Sequence, residues 1–225
     1  PSAVFIPAHI WTPHFSLFGA FSGFDSLEEC FDDMSSHIHA LETGLSSDPS
    51  MNWRVSALDS YVLVSNSDAH SPSKLGREAN IISTDMSYPA VAKALNGQGG
   101  LTGTIEFFPE EGKYHYDGHR ACGVCLSPLE TKEASGRCPI CGKRLTIGVQ
   151  HRVDELADRN EGFRPDGAKP FESLVPLPEV IAASTGCSTA SVKVSALYEL
   201  MLRELGPEFY ILREAELADI GRAAG

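Results

Sequence analysis

Four of the six cysteines in this sequence fall into two short pairs, Cys122-x-x-Cys125 and Cys138-x-x-Cys141, twelve residues apart. Four thiolates at such spacing complete a tetrahedral shell for Zn2+ and leave no position open for water, which makes the expected site structural. Gly123, Pro139 and Gly142 suit the tight turns that this ligation needs. The alternatives are two accidental pairs or a redox dithiol. Nothing at the start reads as a secretory signal, so a reducing, cytoplasmic setting is expected, where metal is favoured over disulfides. Cys30 and Cys187 sit in apolar or helical contexts and read as packing residues.

A second set of candidate ligands follows two apolar runs. Val4-Phe5-Ile6 leads into Pro7-Ala8-His9, and Val62-Leu63-Val64 leads into Ser65-Asn66-Ser67-Asp68-Ala69-His70. Residues two apart on an extended segment point the same way, so Asp68 and His70 pair naturally. If both runs are strands of one sheet, their carboxyl ends share a rim, where active sites of α/β barrels form. Imidazole with carboxylate suits Zn, Mn or Fe, and such ions activate water for attack on phosphorus. Taken alone, D-x-H equally describes a surface turn, and His9 a core or solvent histidine. His14 reads as a loop residue and Glu42 as a polar group ending a strand.

The elements that would hold these residues alternate in type. Ala3–Ala8, Ile38–Leu41, Tyr61–Val64 and Leu101–Phe108 read as strands; Ser26-Leu27-Glu28-Glu29 reads as a capping box opening a helix, and Pro89–Leu95 as a further helix. This α/β order fits part of a barrel. From Pro109 the texture becomes loop-rich around the cysteines. His151–Arg159 reads as a helix. A Gly/Pro-rich linker from Gly162 to Pro170 then precedes a helical tail over Leu177–Ala183, Ser188–Leu205 and Glu214–Gly221. Three regions are expected: 1–108, 109–160 and 161–225. No stretch approaches the roughly 20 apolar residues that span a bilayer, so no membrane association is expected.

The 225 residues are 42% hydrophobic and 21% charged, with a net charge of −12 that disfavours phosphate binding overall. The charge is uneven. From Lys113 to Lys169 there are ten Lys/Arg against eight Asp/Glu, which leaves the remainder at −14. Lys113, Arg120, Arg144 and Arg152 therefore form a weak basic patch on an acidic protein, which Lys74 and Arg77 extend beside the D-x-H segment as candidate contacts for a phosphate backbone. The competing reading pairs these cations with Asp117, Glu130, Asp154 and Glu155 as ordinary solvated ion pairs.

Ser67-Asp68-Ala69-His70-Ser71-Pro72, followed by Leu75-Gly76-Arg77-Glu78, resembles the closing metal motif of PHP-domain phosphoesterases. Pro7-Ala8-His9 with Trp11-Thr12-Pro13 resembles a preceding metal-binding segment of those proteins. The run from Glu106 to Arg120 into the cysteines, and Leu145–Val153 after them, resembles the endonuclease Q family more specifically. That resemblance implies an α/β fold: a partial, distorted PHP-type (β/α) barrel, then a four-cysteine zinc-binding domain and a helical tail. It implies hydrolysis of DNA on the 5′ side of deaminated bases or abasic sites, with His9, Asp68 and His70 binding a catalytic divalent metal such as Zn2+, Mn2+ or Mg2+. The chain departs from the PHP pattern in lacking the opening H-x-H pair. His37-Ile38-His39 mimics it in the wrong place, so a fragment of a longer enzyme, inactive by itself, is expected. Trp11, His14 and Phe15 lie just past the rim and are candidates for a base pocket. Alternatives are a PHP phosphatase acting on a small metabolite, and a non-catalytic zinc-stabilised module binding nucleic acid or protein.

Overall fold

A computed structural model describes residues 3–224, which form two compact units, one ending at Ser173 and the other starting at Leu174. In the first unit, β1 (Ala40–Glu42) pairs in parallel with β2 (Val62–Val64), with Glu42 opposite Val64. A second sheet has the order β3-β4-β7. In it β4 (Leu101–Glu106) runs antiparallel to β3 (Ala79–Ile82) and parallel to β7 (Phe171–Ser173). The Ser65 hydroxyl donates to the Ile105 carbonyl at 2.8 Å, joining the two sheets where β2 and β4 end. No closed barrel forms among the described residues, but the ends of β1, β2 and β4 still meet at one rim.

Local chemistry sets the helices. Ser26, Asp48 and Ser87 accept backbone N–H bonds as N-caps of α1 (Leu27–Phe31), α2 (Pro49–Asn52) and α3 (Tyr88–Leu95). Beyond β4 come the hairpin β5 (Asp117–His119) and β6 (Val124–Leu126), then α4 (Pro128–Glu133) behind a Ser127–Glu130 capping box, and α5 (Val149–Leu156). Val149 and Val153 of α5 are fully buried against Trp11, Phe18 and Leu41, so this helix fastens the cysteine-bearing excursion to the core. Arg54 with Asp154, and Arg159 with Asp59, brace the same junction at 2.6 Å each.

The second unit is helical: α6 (Leu177–Thr185), α7 (Val192–Leu205), α8 (Glu208–Arg213) and α9 (Leu217–Ala224). Leu177, Ile181, Val194, Met201 and Ile211 form its core. Glu208 accepts from the Leu177 N–H at 2.7 Å and the Tyr198 hydroxyl at 2.9 Å, tying three helices together. Among the described residues no helix is long and apolar enough to cross a membrane.

The short elements α2, β3, α4 and β7 are absent from the sequence reading, and other elements differ from it. Ala3–Ala8 is not a strand: Pro7 has no N–H to offer a ladder, and its carbonyl accepts from Glu42 N–H at 3.2 Å. The Ser188–Leu205 helix begins only at Val192, because Ser191 caps it there. The additional helix α8 follows Pro207, which occupies its N-cap.

Candidate functional site

His9 stands beside the end of β1 with a left-handed backbone, φ 34°. Its N–H donates to Glu42 Oε2 at 2.6 Å, and the other oxygen of that carboxylate accepts from Asn66 Nδ2 at 2.8 Å. One buried carboxylate thus joins the His9 segment to the D-x-H segment, a larger role than ending a strand. Gly44, at φ +69°, makes the approach possible: a Cβ there would lie 2.8 Å from His9 Cβ and 2.9 Å from His9 Cα.

The segment from Ser65 to His70 is held almost residue by residue. Asn80 accepts from Ser65 N–H at 3.0 Å and donates to Ser65 O at 2.8 Å. Arg77 Nε–H donates to Ser67 O at 2.9 Å, so this candidate DNA contact also fixes the loop. Asp68 has a left-handed backbone at φ 45°, and its carbonyl lies 2.8 Å from His70 Nδ1. A carbonyl only accepts, so His70 Nδ1 carries the proton and Nε2 keeps its lone pair.

A similar contact reaches His9. The Thr12 hydroxyl lies 3.0 Å from His14 O and 3.1 Å from His9 Nδ1. The hydroxyl also lies 3.3 Å from His9 O, so it holds the His9 ring at Nδ1 and leaves Nε2 without a bond to Thr12. Metal-binding histidines are oriented in this way, by a bond at the nitrogen that does not ligate. A donor set of two imidazoles and a carboxylate fits a divalent cation. Glu42 joins the segments that carry the three residues, but their donor atoms do not close into one group: the only group of three or more ligand residues with all atoms within 4.8 Å, among the described residues, lies elsewhere. The His70 and Asp68 side chains are 86% and 51% exposed, facing outward from the loop tip.

Behind the rim lie two further carboxylates, Glu78 and Glu106, which fall in segments that carry the family resemblance but to which the sequence reading gives no role. Glu106 is fully buried at the end of β4 and accepts from the Thr43 and Thr104 hydroxyls at 2.9 and 2.5 Å. Burial pushes it up to about 7 despite those bonds. Glu78 precedes β3, beside Glu106 in the antiparallel register, and is pushed up to about 8, first by burial and then by the Glu106 charge. Its Oε1 accepts from Phe107 N–H at 3.3 Å while Oε2 has no partner. The segments that contain them are separate in the sequence, and strand pairing brings them together. A cavity of about 430 Å³ lined by Trp53, Tyr61, Val62, Gly97 and Leu101 contains none of His9, Asp68 and His70, though Thr104 borders both it and Glu106.

The compact ligand group is His119, Cys122, Cys138 and Cys141, whose donor atoms all lie within 4.8 Å of one another. His119 Nδ1 is 3.5 Å from Cys141 Sγ. Cys125 is exposed on β6 and is not in the group. The reason is local. A 3-10 turn over Arg120–Cys122, closed by Gly123 at φ 65°, carries His119 and Cys122 to one side of the hairpin. Cys138-x-x-Cys141 is closed in the same way by Gly142 at φ 71°. The legible signal is ligand-x-x-Cys-Gly, which fits His119 to Gly123 and Cys138 to Gly142, whereas Leu126 follows Cys125. Burial raises the Cys138 thiol, yet backbone N–H groups of Cys141 and Ile140 and the neighbouring thiols bring it below its ordinary value. Cys122 is pushed up to about 11, chiefly by hydrogen bonding with Cys141. Crowded sulfurs that share protons this way are what a soft cation replaces, so the group can bind a metal such as zinc.

The candidate DNA contacts divide. Arg120 and Arg144 are exposed beside the ligand group, and Lys113 is exposed with its Nζ 4.7 Å from the Tyr114 ring. Lys74, half-buried, lies in the turn just after the D-x-H segment. Arg152 is committed elsewhere: it donates to Phe18 O at 2.8 Å, Phe24 O at 3.0 Å, Glu155 at 3.0 Å and the Asp25 carboxylate. Of the four acids proposed as partners for the cations, Glu155 bonds Arg152, while Asp117 is bound to His151, Glu130 to Ser127 and Asp154 to Arg54.

No protein-family model matches the chain. Over 223 residues it is 36% identical to the uncharacterised protein YqxK of Bacillus subtilis and 30% identical to MJ0043 of Methanocaldococcus jannaschii, covering 97% and 94% of this chain. Among solved structures it is similar to the lesion-specific endonuclease PfuEndoQ of Pyrococcus furiosus, with TM-score 0.84 and 34% identity. It is also similar to endonuclease Q in complex with a 27-mer duplex bearing an abasic lesion at the active site, with TM-score 0.86 and 33% identity. Both likenesses cover 98% of this chain and 55% of the other. The chain spans 52% of YqxK and 27% of MJ0043. Across nearly its whole length, then, it has the fold of endonuclease Q.

Proposed function

We propose that this chain is the metal-rim and zinc-module part of a DNA-repair endonuclease that hydrolyses the phosphodiester 5′ to deaminated bases or abasic sites. The observation that carries the reading is the Glu42 carboxylate, which bonds both the His9 segment and the segment leading to Asp68 and His70, in a chain with the endonuclease Q fold. His9, Asp68 and His70 would hold the catalytic cation. A divalent ion so placed lowers the pKa of water and neutralises charge on a phosphoryl oxygen. The chain's own work is positioning. Glu42 keeps the two ligand segments in register, Asn80 and Arg77 fix the second, and Thr12 holds the His9 ring. Arg120, Arg144, Lys113, Lys74 and Arg77 would meet the phosphate backbone, orienting a duplex that the acidic remainder of the surface repels.

The His119–Cys122–Cys138–Cys141 group would hold a structural Zn2+, since four protein ligands leave no place for substrate. The test uses the full-length protein containing this chain, duplexes with one abasic site, one deoxyuridine or none, and added Mg2+ or Mn2+. Nicking on the 5′ side of the lesion is expected, lost in Asp68→Asn with the thermal midpoint unchanged. Hydrolysis of small phosphate monoesters in preference to any lesion duplex would replace this reading with a metabolite phosphatase.

A further inference from the structure

We infer that Phe15 inserts into the base stack at the lesion, filling the place that the damaged nucleotide leaves; this rests on the endonuclease reading above. Phe15 is 97% exposed and has a left-handed backbone at φ 55°. No other large apolar residue exposed to solvent has that backbone among the described residues. A bulky side chain in that region is strained, and such strain persists only where the surroundings impose it.

Here they do. Phe18 N–H donates to Ile10 O at 2.7 Å, Phe21 N–H to Pro13 O at 3.1 Å, and Ser16 Oγ bridges Thr12 O and Gly19 N–H at 2.5 and 3.0 Å. Trp11 and Phe18 anchor the segment in the core, with ring centroids 4.9 Å apart. The Arg152 guanidinium clamps its far end through Phe18 O and Phe24 O. The tip held up by this frame is aromatic: the exposed His14 ring is stacked parallel on Phe21 at 4.6 Å, and Phe15 stands next to it.

Position and charge select the occupant. The Thr12 hydroxyl that fixes the His9 ring also bonds His14 O, so the tip is coupled to the ligand rim through one residue. From Ile10 to Phe24 there is no Asp or Glu, in a chain of net charge −12, so a polyanion can approach here. An abasic site lacks a base, and a deaminated base must leave the stack to be read; both leave an apolar gap that an aromatic ring fills. Stacking of a base on an aromatic side chain is worth about 1–3 kcal/mol, or roughly 5- to 150-fold in affinity.

The experiment uses the full-length protein with Phe15→Ala, Phe15→Gly and Phe15→Trp. Binding to undamaged and abasic duplexes is measured alongside the fluorescence of 2-aminopurine opposite the abasic site. Phe15→Ala is expected to weaken abasic-duplex binding at least fivefold while changing undamaged binding less than twofold, and to abolish quenching of the probe. Phe15→Trp restores both. Phe15→Gly loses the lesion preference while its thermal midpoint stays level or rises, since the strain is released and no packing is lost. Unchanged preference and unchanged quenching in Phe15→Ala would overturn the inference. The wild-type nicking assay is read first, so absence of any lesion-directed nicking is seen as failure of the endonuclease reading itself, and the inference falls with it.

Discussion

Gly44 and His9 are packed so closely that a methyl group on Gly44 would sit 2.9 Å from the His9 Cα. Gly44→Ala therefore has to push the His9 segment away from β1 and break the bond from His9 N–H to Glu42. Weakening of catalytic-metal binding by about 10- to 100-fold is expected, the usual range for lost support behind a ligand. Calorimetric titration with Mn2+ checks this, and zinc content should not change, because the His119 group is untouched.

Glu42 makes two bonds with two oxygens, and Gln can accept with only one. Glu42→Gln should uncouple either His9 or Asn66 and slow nicking by about 10- to 100-fold. Glu42→Ala should in addition lower stability by about 1–3 kcal/mol, because it leaves a buried donor unpaired. A Gln variant with full activity would show that the clamp is dispensable.

Zinc content separates His119 from Cys125. Purified protein should carry one tightly bound zinc, lost or sharply weakened in His119→Ala, Cys122→Ser and Cys138→Ser, with unfolding of the 117–147 region. Cys125→Ser should keep its zinc. Co2+-substituted protein should show thiolate-to-cobalt absorption of three sulfurs rather than four. Loss of metal in Cys125→Ser would restore the four-cysteine arrangement that the spacing suggests.

Glu78 and Glu106 are raised in the folded state to about 8 and about 7, above their value of 4.5 in the unfolded chain. The folded state therefore binds more protons than the unfolded state between about pH 4.5 and 8. Their contribution is complete below pH 4.5 and falls away as pH rises through 7 to 8. Thermal midpoints should decline across that interval. Glu78→Gln should flatten the decline and raise the midpoint at pH 8 by several degrees, at about 2–4 °C per kcal/mol for a chain of this size.

Arg152 and the exposed arginines should separate by salt dependence. Arg120→Glu with Arg144→Glu should weaken binding to damaged and undamaged DNA alike, and reduce the salt slope by about one unit per lost phosphate contact. Arg152→Ala should instead lower the melting temperature, because Phe18 O and Phe24 O lose a shared donor, and leave the slope unchanged. An unchanged slope in the double variant would take the DNA role away from this region.

The residues that follow strands are readable because apolar runs and their polar ends announce themselves: Val62-Leu63-Val64 predicts β2 and places Asp68 and His70 just beyond it. The helix at α5 and the helical tail are legible from spacing in the same way. What the chain's order hides is partnership across the fold. Glu42 reads as a strand terminus, yet its bond to His9 spans 33 positions. Glu78 and Glu106 meet only because β3 runs antiparallel to β4. Arg152 reads as a surface cation, yet its bonds to Phe18 and Phe24 place it beneath a loop more than a hundred residues earlier. Cys125 stands out over His119 because a matching pair is easier to see than the glycine that ends each turn.

The cysteine-bearing excursion leaves and rejoins the body at nearly one point. Val149 N–H donates to Tyr114 O at 2.9 Å and Gln150 N–H to His115 O at 3.0 Å, and Asp117 bonds Gly148 N–H and His151 at 2.6 Å each, so some thirty residues hang from one narrow neck. Segments whose ends already touch are the ones a host fold can acquire, exchange or discard whole. The module can thus have a history separate from the rim's, and in distant relatives its length and ligands can drift while Tyr114, Gly148 and the helix beyond them stay fixed.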